Sequence, residues 1–474
     1  MKVLFASSEA YPFAMSGGLA DVAGALPKAL RKRMVGCRVV MPLYATIPQE
    51  LRENMKFITH ITVPVAWRRQ YCGIFEANVD NVKYYLLDNE YYFKRDSLYG
   101  YYDDIERFAF FSRAVLEILP HINYKPDIIH CNDWQTALTP VYLDRFYVHD
   151  LFYHDIKTVL TIHNIQYQGK CGTEVFEDLL GLSGDDCRVV EYDGCINLLK
   201  GGIECADRIT TVSPTYAKEI LTSYYAHGLD GILRAREFKL TGIINGIDTD
   251  VYNPETDSLI YENFNINSIE KKAVNKQKLQ ERIGLPVRPD VPLFSMVTRL
   301  VGHKGLNLVK CVFEELLRAD LQFCILGSGE QEFENFFYEM ARRYPQKVAF
   351  ICGFMPELAH KIYAGADFFL MPSKSEPCGL SQLLALRYGT VPIVRETGGL
   401  NDTIKDSGDN IGNGFTFKNY NAHEMQHAVW RAVGSYMDED GFNILRKRAM
   451  ECDNSWGNSA NEYIRLYKSV DRQN

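Results

Sequence analysis

The sequence predicts an α/β protein built from two doubly wound parallel sheets, one in each half of the 474-residue chain. Short apolar runs alternate with longer helical patterns through most of the sequence, as in repeated strand–helix units. These apolar runs are continuous, which is typical of parallel strands that helices cover on both faces. At roughly 100–200 residues per domain, the length fits two large domains.

Runs rich in β-branched or aromatic residues predict the strands. In the first half they are Val3–Ala6, Cys37–Met41, Lys83–Leu87, Asp127–His130, Thr158–His163 and Arg208–Ser213, and in the second half Leu293–Thr298, Gln322–Leu326, Val348–Cys352, Asp367–Met371 and Val391–Val394. Helices are predicted between them, at Leu19–Arg31, Arg107–Ile118, Tyr216–Ser223, Gly305–Leu317, Glu357–Tyr363 and Cys378–Arg387.

The domain boundary is predicted near Gly242–Pro254, where Gly, Asn, Asp and Pro are concentrated. This gives one domain at residues 1–242 and a second at 243–455, followed by a helical tail at 456–474. Ligands of doubly wound domains bind beyond the carboxyl ends of the parallel strands. We therefore expect functional residues directly after strands, in a cleft between the two domains.

Charge and cysteine usage exclude several classes of protein. Lys and Arg number 52 against 60 Asp and Glu, a net charge of −8 that argues against a nucleic-acid-binding protein. The twelve cysteines are scattered singly, so zinc-ribbon and thioredoxin motifs are missing from the sequence. The first apolar stretch is too short for a signal peptide, and no run approaches the ~18 apolar residues of a membrane helix. We expect a reduced, cytoplasmic protein without contact to a membrane.

Two related glycine motifs follow predicted strands, one in each half. They are Ser16-Gly17-Gly18-Leu19-Ala20-Asp21 and Thr397-Gly398-Gly399-Leu400-Asn401-Asp402. Paired glycines allow close backbone approach, and the helix start behind them offers N–H groups to phosphate. Neither motif matches the dinucleotide-binding or P-loop pattern. An ordinary strand-to-helix turn remains the alternative for each motif taken alone.

Charged side chains follow other strands of the second half. Arg299 and Lys304 come directly after a buried strand and can converge on one diphosphate, whereas a solvated basic turn is the alternative. Glu376 precedes a proline that can begin a helix, so its carboxylate can bind ligand hydroxyls or simply favour the helix start.

In the first half, Asp133 and His163 each follow a strand. Asp133 can accept hydrogen bonds, and His163 can donate them from its ring or its backbone. A single histidine at a strand end is more often structural than catalytic. Two polar clusters at neighbouring strand ends favour a catalytic role only modestly.

Together these segments resemble the bacterial glycogen synthases and plant starch synthases, which are retaining glucosyltransferases with two Rossmann-like domains in the GT-B fold. The resemblance runs along nearly the whole chain. It is carried by SEAYPF, SGGLADVAGALPKAL, PDIIHCNDWQTAL, TIHNIQYQG, LLKGGIECADRITTVSPTYAKEI, GLDGILR, NGIDTDVYNP, TRLVGHKGL, MPSKSEPCGLSQLLALRYGTVPIVRETGGLNDTI and NGFTF.

The resemblance implies a role for each matching residue. Arg299 and Lys304 would hold the diphosphate of ADP-glucose, and Glu376 would bind the glucosyl hydroxyls, with His163 and Asp133 facing the same sugar. Further donor contacts would come from Ser16, Gly17, Gly18, Asp21, Asn245, Phe354, Cys378, Gly379, Leu380, Thr397, Gly398, Gly399 and Leu400. Phe354 would stack on adenine. In similar proteins the last helix, here within 456–474, crosses back to the N-terminal domain.

Two positions depart from the family pattern. Met15 stands where the family has lysine, which removes a charge-assisted contact worth on the order of 1.5–3 kcal/mol. Gln135 stands where histidine is frequent, and it keeps the capacity to hydrogen-bond.

The function implied is transfer of glucose from ADP-glucose to the non-reducing end of an α-1,4-glucan, glycogen or a maltooligosaccharide, with retention of configuration. Neither a cofactor nor a metal is expected beside the donor substrate. Two alternatives stay open: a retaining transferase with another donor or acceptor, and a glucan-binding paralogue with weakened transfer. The sequence gives no signal for the oligomeric state or for ADP- over UDP-glucose.

Overall fold

The computed structural model describes residues 1–471, which form two compact units. The first unit contains Met1–Asn245 together with the C-terminal helix, and the second contains Gly246–Ser455. In each unit a sheet is covered by helices, as continuous apolar strands require. No helix among the described residues is both long and apolar enough to cross a bilayer.

Residues 1–245 form the strands β1 Lys2–Ala6, β2 Gly36–Pro42, β3 Lys56–Val65, β4 Arg68–Val79, β5 Val82–Asp88, β6 Ile128–Asn132, β7 Lys157–Ile162, β8 Lys170–Cys171, β9 Glu191–Tyr192, β10 Cys195–Asn197, β11 Arg208–Thr211 and β12 Leu240–Gly242. The main sheet has the order β12-β11-β7-β6-β1-β2-β5-β4-β3, and β8, β10 and β9 form a small antiparallel sheet. The neighbours from β12 to β5 are parallel.

The hairpin of β3 and β4 was not predicted. It extends the parallel sheet with antiparallel strands, so the first sheet is mixed. Ile61, Val63 and Val65 are buried while the residues between them are more exposed. This alternation is typical of a strand with one face on the core, whereas the sequence prediction relied on continuous apolar runs.

The helices of residues 1–245 are α1 Gly18–Lys32, α2 Gln49–Glu53, α3 Glu90–Phe93, α4 Asp104–His121, α5 Leu138–Phe146, α6 Cys187–Val190, α7 Leu198–Cys205, α8 Pro214–Glu219 and α9 Asp230–Ala235. Short 3₁₀ turns lie at Trp134–Thr136, Thr173–Val175, Gly184–Asp186 and Glu237–Lys239, and a π-helical turn at Phe176–Leu180. α8 begins earlier than predicted because the Ser213 side chain caps it, accepting from the Tyr216 N–H at 2.8 Å.

In the second unit six parallel strands have the order β15-β14-β13-β16-β17-β18 within the described residues. They are β13 Leu293–Val297, β14 Gln322–Gly327, β15 Val348–Cys352, β16 Phe368–Met371, β17 Val391–Arg395 and β18 Phe415–Phe417. The helices are α10 Lys272–Ile283, α11 Leu306–Leu316, α12 Gln331–Arg343, α13 Pro356–Gly365, α14 Ser381–Arg387, α15 Gly398–Thr403, α16 Ala422–Tyr436 and α17 Glu439–Glu451, with 3₁₀ turns at Ile269–Lys271, Gly302–Lys304 and Ser407–Asp409.

The core of the second unit is aromatic. Phe294 on β13 stacks on Phe368 of β16 with ring centroids 4.9 Å apart, and Phe313 of α11 packs on Phe323 of β14 at the same separation. All four rings are buried. This packing fixes the strands, and therefore the loops at their carboxyl ends, relative to one another.

The last helix, α18 Trp456–Asp471, is part of the first unit. Tyr467 hydrogen-bonds the buried His130 of β6 at 2.6 Å, and Ser459 donates to the Ile244 carbonyl at 2.6 Å. The predicted tail extends to residue 474, and residues 472–474 lie outside the described part of the chain.

Candidate active site

In the second unit, candidate residues follow three adjacent strands. Arg299 lies two residues after β13, Glu376 lies in the loop after β16, and Thr397 follows β17. β13 pairs with β16 and β16 with β17, all in parallel. The carboxyl ends of the three strands therefore lie side by side, as predicted for a doubly wound sheet.

Lys304 and Glu376 form a largely buried ion pair. The Lys304 Nζ lies 2.6 Å from the Glu376 Oε2, and their side chains are 17% and 8% exposed. The Ser373 hydroxyl donates to the same oxygen at 3.0 Å. Among the described residues, no group is seen to hydrogen-bond the other carboxylate oxygen, Oε1, which can therefore accept from a ligand hydroxyl.

Glycines bring the loops around this ion pair into contact. Gly305 has φ +79°, and a Cβ there would lie 2.0 Å from the Pro372 carbonyl oxygen. Gly398 has φ +45°, and its Cβ would lie 1.9 Å from the Glu376 carbonyl oxygen. Only glycine fits such approaches, so these positions fix the backbone on both sides of Glu376.

The expected helix start at Glu376-Pro377 is wrong. α14 begins at Ser381, and Cys378–Leu380 form a turn before it. Gly379 has φ +72°, in the left-handed region, so the helix cannot extend back through it. The Glu376 carboxylate is therefore held by Lys304 and Ser373 rather than by a helix dipole.

The other donor residues predicted in this unit lie at the same edge of the sheet. Cys378 is buried and Leu380 is half-buried, whereas Arg299 is exposed and makes no ion pair among the described residues. Phe354 follows the edge strand β15 and is 80% exposed, so its ring face is available for stacking. α15 begins with Gly398 and Gly399 behind the extended Thr397, as the glycine motif predicted.

In the first unit, the Asp133 carboxylate is joined to the backbone of His163. Asp133 follows β6, and its Oδ1 accepts from the His163 N–H at 2.7 Å. The His163 ring Nε2 lies 2.9 Å from the Asn132 Oδ1, while the Asn132 amide donates to the Ala6 carbonyl at 2.9 Å. Asn132 thus ties the ends of β1, β6 and β7 together and orients the imidazole.

The glycine motif of the first unit starts α1. Ser16, Gly17 and Gly18 are exposed, and Asp21 is half-buried on the first turn. The cap residue Gly17 has no side chain that could accept from the first N–H groups of the helix. One residue earlier, the Ser16 N–H donates to the buried Glu9 carboxylate at 2.6 Å. Met15 is 43% exposed, so its methyl thioether lies at the surface where the family has an ammonium.

Burial changes the pKa of the polar groups in this unit. It raises the pKa of Glu9 and of Asp133 to about 7 and that of Asp21 to about 6. It lowers the pKa of His163 to about 3. The three carboxyl groups therefore titrate near neutral pH, while the His163 imidazole stays neutral.

Two further residues of the prediction carry buried oxygens without a hydrogen-bond partner among the described residues. They are the Oδ1 of Asn245 and the Oε1 of Gln135, on side chains that are buried. Such oxygens are costly in a closed protein and suit a ligand that donates to them. Asn245 was predicted to contact the donor only because of the resemblance to the family.

Four residues that contact the predicted set were not predicted: Glu9, Asn132, Ser373 and His303. Asn132 and Ser373 lie next to predicted residues in the quoted motifs, so the strand-end rule would have found them. His303 lies between Arg299 and Lys304, where burial and both positive charges lower its pKa.

Comparison with known proteins agrees with this architecture. A family model described as the starch synthase catalytic domain matches residues 2–235, and one described as glycosyl transferases group 1 matches residues 277–439. A glycogen synthase of Geobacillus thermodenitrificans is 54% identical over 99% of this chain and 98% of its own. One of Bacillus cereus is 54% identical over 99% of this chain and 100% of its own.

Solved structures are similar to this chain over nearly its whole length. The catalytic domain of starch synthase IV from Arabidopsis thaliana, bound to ADP and acarbose, has a TM-score of 0.92 at 33% identity, covering 100% of this chain and 99% of that one. Sucrose-phosphate synthase from Thermosynechococcus elongatus has a TM-score of 0.62 at 15% identity over 99% and 98% of the two chains, which shows a shared fold.

The two units and their strand-end residues define a glycosyltransferase of the GT-B fold. Within that class, the chain belongs to the glycogen synthase and starch synthase family. The resemblance, the fold class and the enzyme class predicted from the sequence are confirmed.

Proposed function

We propose that this protein transfers glucose from ADP-glucose to the non-reducing 4-hydroxyl of an α-1,4-glucan with retention of configuration, in the cytoplasm. The observation that carries the proposal is the group formed by Lys304, Glu376 and Arg299 at adjacent strand ends. It combines two cations for a diphosphate with one carboxylate oxygen for sugar hydroxyls. The starch synthase IV structure was solved with ADP bound, which supports an adenine nucleotide donor.

The chemistry places most demand on the leaving group. The bond between the anomeric carbon and the β-phosphate oxygen breaks, and the bond to the acceptor 4-oxygen forms on the same face. The acceptor proton passes to the departing diphosphate. Negative charge develops on that diphosphate, and preorganised cations such as Arg299 and Lys304 stabilise it.

Glu376 would bind glucosyl hydroxyls through its Oε1. Because Lys304 and Ser373 hold the other oxygen, the carboxylate has one orientation before the sugar binds. In the first unit, the neutral His163 and the half-buried Asp133 offer an imidazole and a carboxylate to a sugar hydroxyl. Prior fixation of such groups reduces the entropy lost on reaching the transition state.

A groove in the first unit supports a glucan as acceptor. It has a volume of about 560 Å³ and begins beside Asp133, at Trp134. It is lined by aromatic rings and hydrogen-bonding side chains, namely Tyr101, Tyr102, Asp104, Ile105, Trp134, Gln166, Tyr167, Gln168, Lys170 and His227, with Gly169. Aromatic faces beside polar groups match a sugar chain, whose rings have apolar faces and polar edges.

An ADP-release assay tests the proposal. Purified protein is incubated with ADP-glucose and either glycogen, maltoheptaose or no acceptor, and the lengthened products are separated. We expect ADP release that requires the glucan and equals the glucose incorporated. Glucan binding without ADP release would instead support the non-transferring paralogue, which Met15 makes the second candidate.

Two comparisons sharpen the assay. UDP-glucose in place of ADP-glucose should give a lower kcat/KM, and the reverse ratio would refute the donor assignment. Glu376→Ala should lower transfer by about 10² or more in a folded protein, and near-normal turnover would refute the site assignment.

A further inference from the structure

Glu9 lies outside every residue set that the family pattern assigned, yet it contacts the first glycine motif. Its side chain is 3% exposed and its Oε2 accepts from the Ser16 N–H at 2.6 Å. Ser16 stands directly before the cap residue Gly17 of α1, so the Glu9 carboxylate holds the backbone where the chain enters that helix.

The helix start has no side-chain cap of its own. Gly17 occupies the cap position without a side chain, and in most helices Ser, Thr, Asp or Asn at that position supplies the accepting oxygen. Here a carboxylate seven positions earlier in the chain holds the residue before the cap, because Glu9 accepts from the Ser16 N–H. A negative charge near a helix N-terminus is favoured by the helix dipole.

The segment that carries Glu9 is itself fixed on α1. The Tyr11 N–H donates to the Ala20 carbonyl at 3.0 Å, and a Cβ on Gly24 would lie 2.9 Å from the Tyr11 carbonyl oxygen. The Ser7 hydroxyl donates to the Glu9 carbonyl at 2.6 Å. The carboxylate therefore reaches the exposed Ser16–Gly18 turn from a rigid position.

We propose that Glu9 is a positioning residue of the transfer reaction, whose buried carboxylate accepts from the Ser16 N–H and holds the Ser16–Gly18 turn. This inference rests on the proposed function for its kinetic part.

Three variants test the proposal: Glu9→Gln, Glu9→Ala and, as a matched control, Glu50→Gln on the exposed first turn of α2. Hydrogen exchange of the peptide covering residues 14–22 measures the turn directly, without any substrate. We expect faster exchange of the Ser16 amide in both Glu9 variants and unchanged exchange in the control. Formate, a free carboxylate, should slow this exchange in Glu9→Ala and leave the wild type unchanged.

The kinetic readout follows in the same proteins. We expect Glu9→Gln to lower kcat/KM by about tenfold or more in a folded protein, because a charge-assisted acceptor is replaced by a neutral one. Unchanged exchange at residues 14–22, no effect of formate on Glu9→Ala, or activity within about twofold of wild type in Glu9→Gln would each overturn the proposal. If Glu9→Ala does not fold, exchange and kinetics of Glu9→Gln decide. A wild type that transfers no glucose would overturn the proposed function, while the exchange measurement would still decide the role of Glu9.

Discussion

Lys304→Met removes an ammonium group that contacts a buried carboxylate, and its cost can be worked out from the ion pair. The Glu376 side chain is 8% exposed and that of Lys304 is 17% exposed. Leaving one member of such a pair without its partner costs about 3–5 kcal/mol, and the partial exposure of Lys304 favours the lower end. For a unit of about 200 residues, a loss of about 3 kcal/mol lowers the melting temperature by roughly 6–12 °C.

A double-mutant cycle separates the ion pair from the loss of each side chain. Glu376→Gln keeps an oxygen that can accept from Ser373, so we expect it to cost about 1 kcal/mol. The double variant Lys304→Met/Glu376→Gln leaves no unpaired charge. We therefore expect it to be more stable than Lys304→Met, with a coupling energy of about 2 kcal/mol.

Calorimetry of the purified variants measures these melting temperatures, and the ADP-release assay measures activity in parallel. Lys310→Met is the matched control, because Lys310 pairs with Glu332 in the same unit but at the surface, with side chains 28% and 65% exposed. An exposed pair contributes less than about 1 kcal/mol. Equal losses for Lys304→Met and Lys310→Met, or additive losses in the cycle, would refute the reasoning.

Three further predictions concern stability, donor binding and metal dependence. The folded-state pKa of Glu9 is raised from 4.5 to about 7, so the wild type loses stability as the pH rises between these values. This loss is about 3 kcal/mol. Glutamine does not titrate, so in thermal melts from pH 4 to 8 the stability of Glu9→Gln minus that of the wild type should rise by this amount. A stability difference that stays constant with pH would contradict the prediction. Met15→Lys should lower the KM for donor or acceptor by up to about tenfold, because the new ammonium group can pair with an anionic group of the substrate. Steady-state kinetics with each substrate varied in turn will measure this KM. EDTA should change the transfer rate by less than about twofold, because Arg299 and Lys304 supply the positive charge, and a rate restored only by Mg²⁺ would contradict this.

The rule that functional residues follow buried strands predicted most of the candidate site. Lys304, Glu376, Asp133 and His163 were found because polar side chains after continuous apolar runs lie at one edge of a parallel sheet. Glu9 also follows a strand, three residues after β1, but it was missed because its contact with the Ser16 N–H depends on a loop folding back onto α1, which no local pattern records.

Local conformation explains the other differences. The helix predicted from Cys378 begins only at Ser381, since Gly379 adopts a left-handed conformation that propensity alone does not specify. The hairpin of β3 and β4 was missed because one face is exposed, so its residues alternate and give no continuous apolar run. In the first case a conformation that glycine readily adopts shortened the helix, and in the second the strand has an alternating rather than a continuous apolar pattern.

The position of α18 has a consequence for how the chain folds during synthesis. The first unit is discontinuous in sequence, because Gly246–Ser455 is inserted between its main part and its last helix. Tyr467, which closes over His130, leaves the ribosome only after all of that insert. Domains usually fold in the order of synthesis, but here the second unit is complete while the first still lacks its final helix. The first unit therefore cannot complete its fold, and His130 stays uncovered by α18, until the whole second unit has been translated.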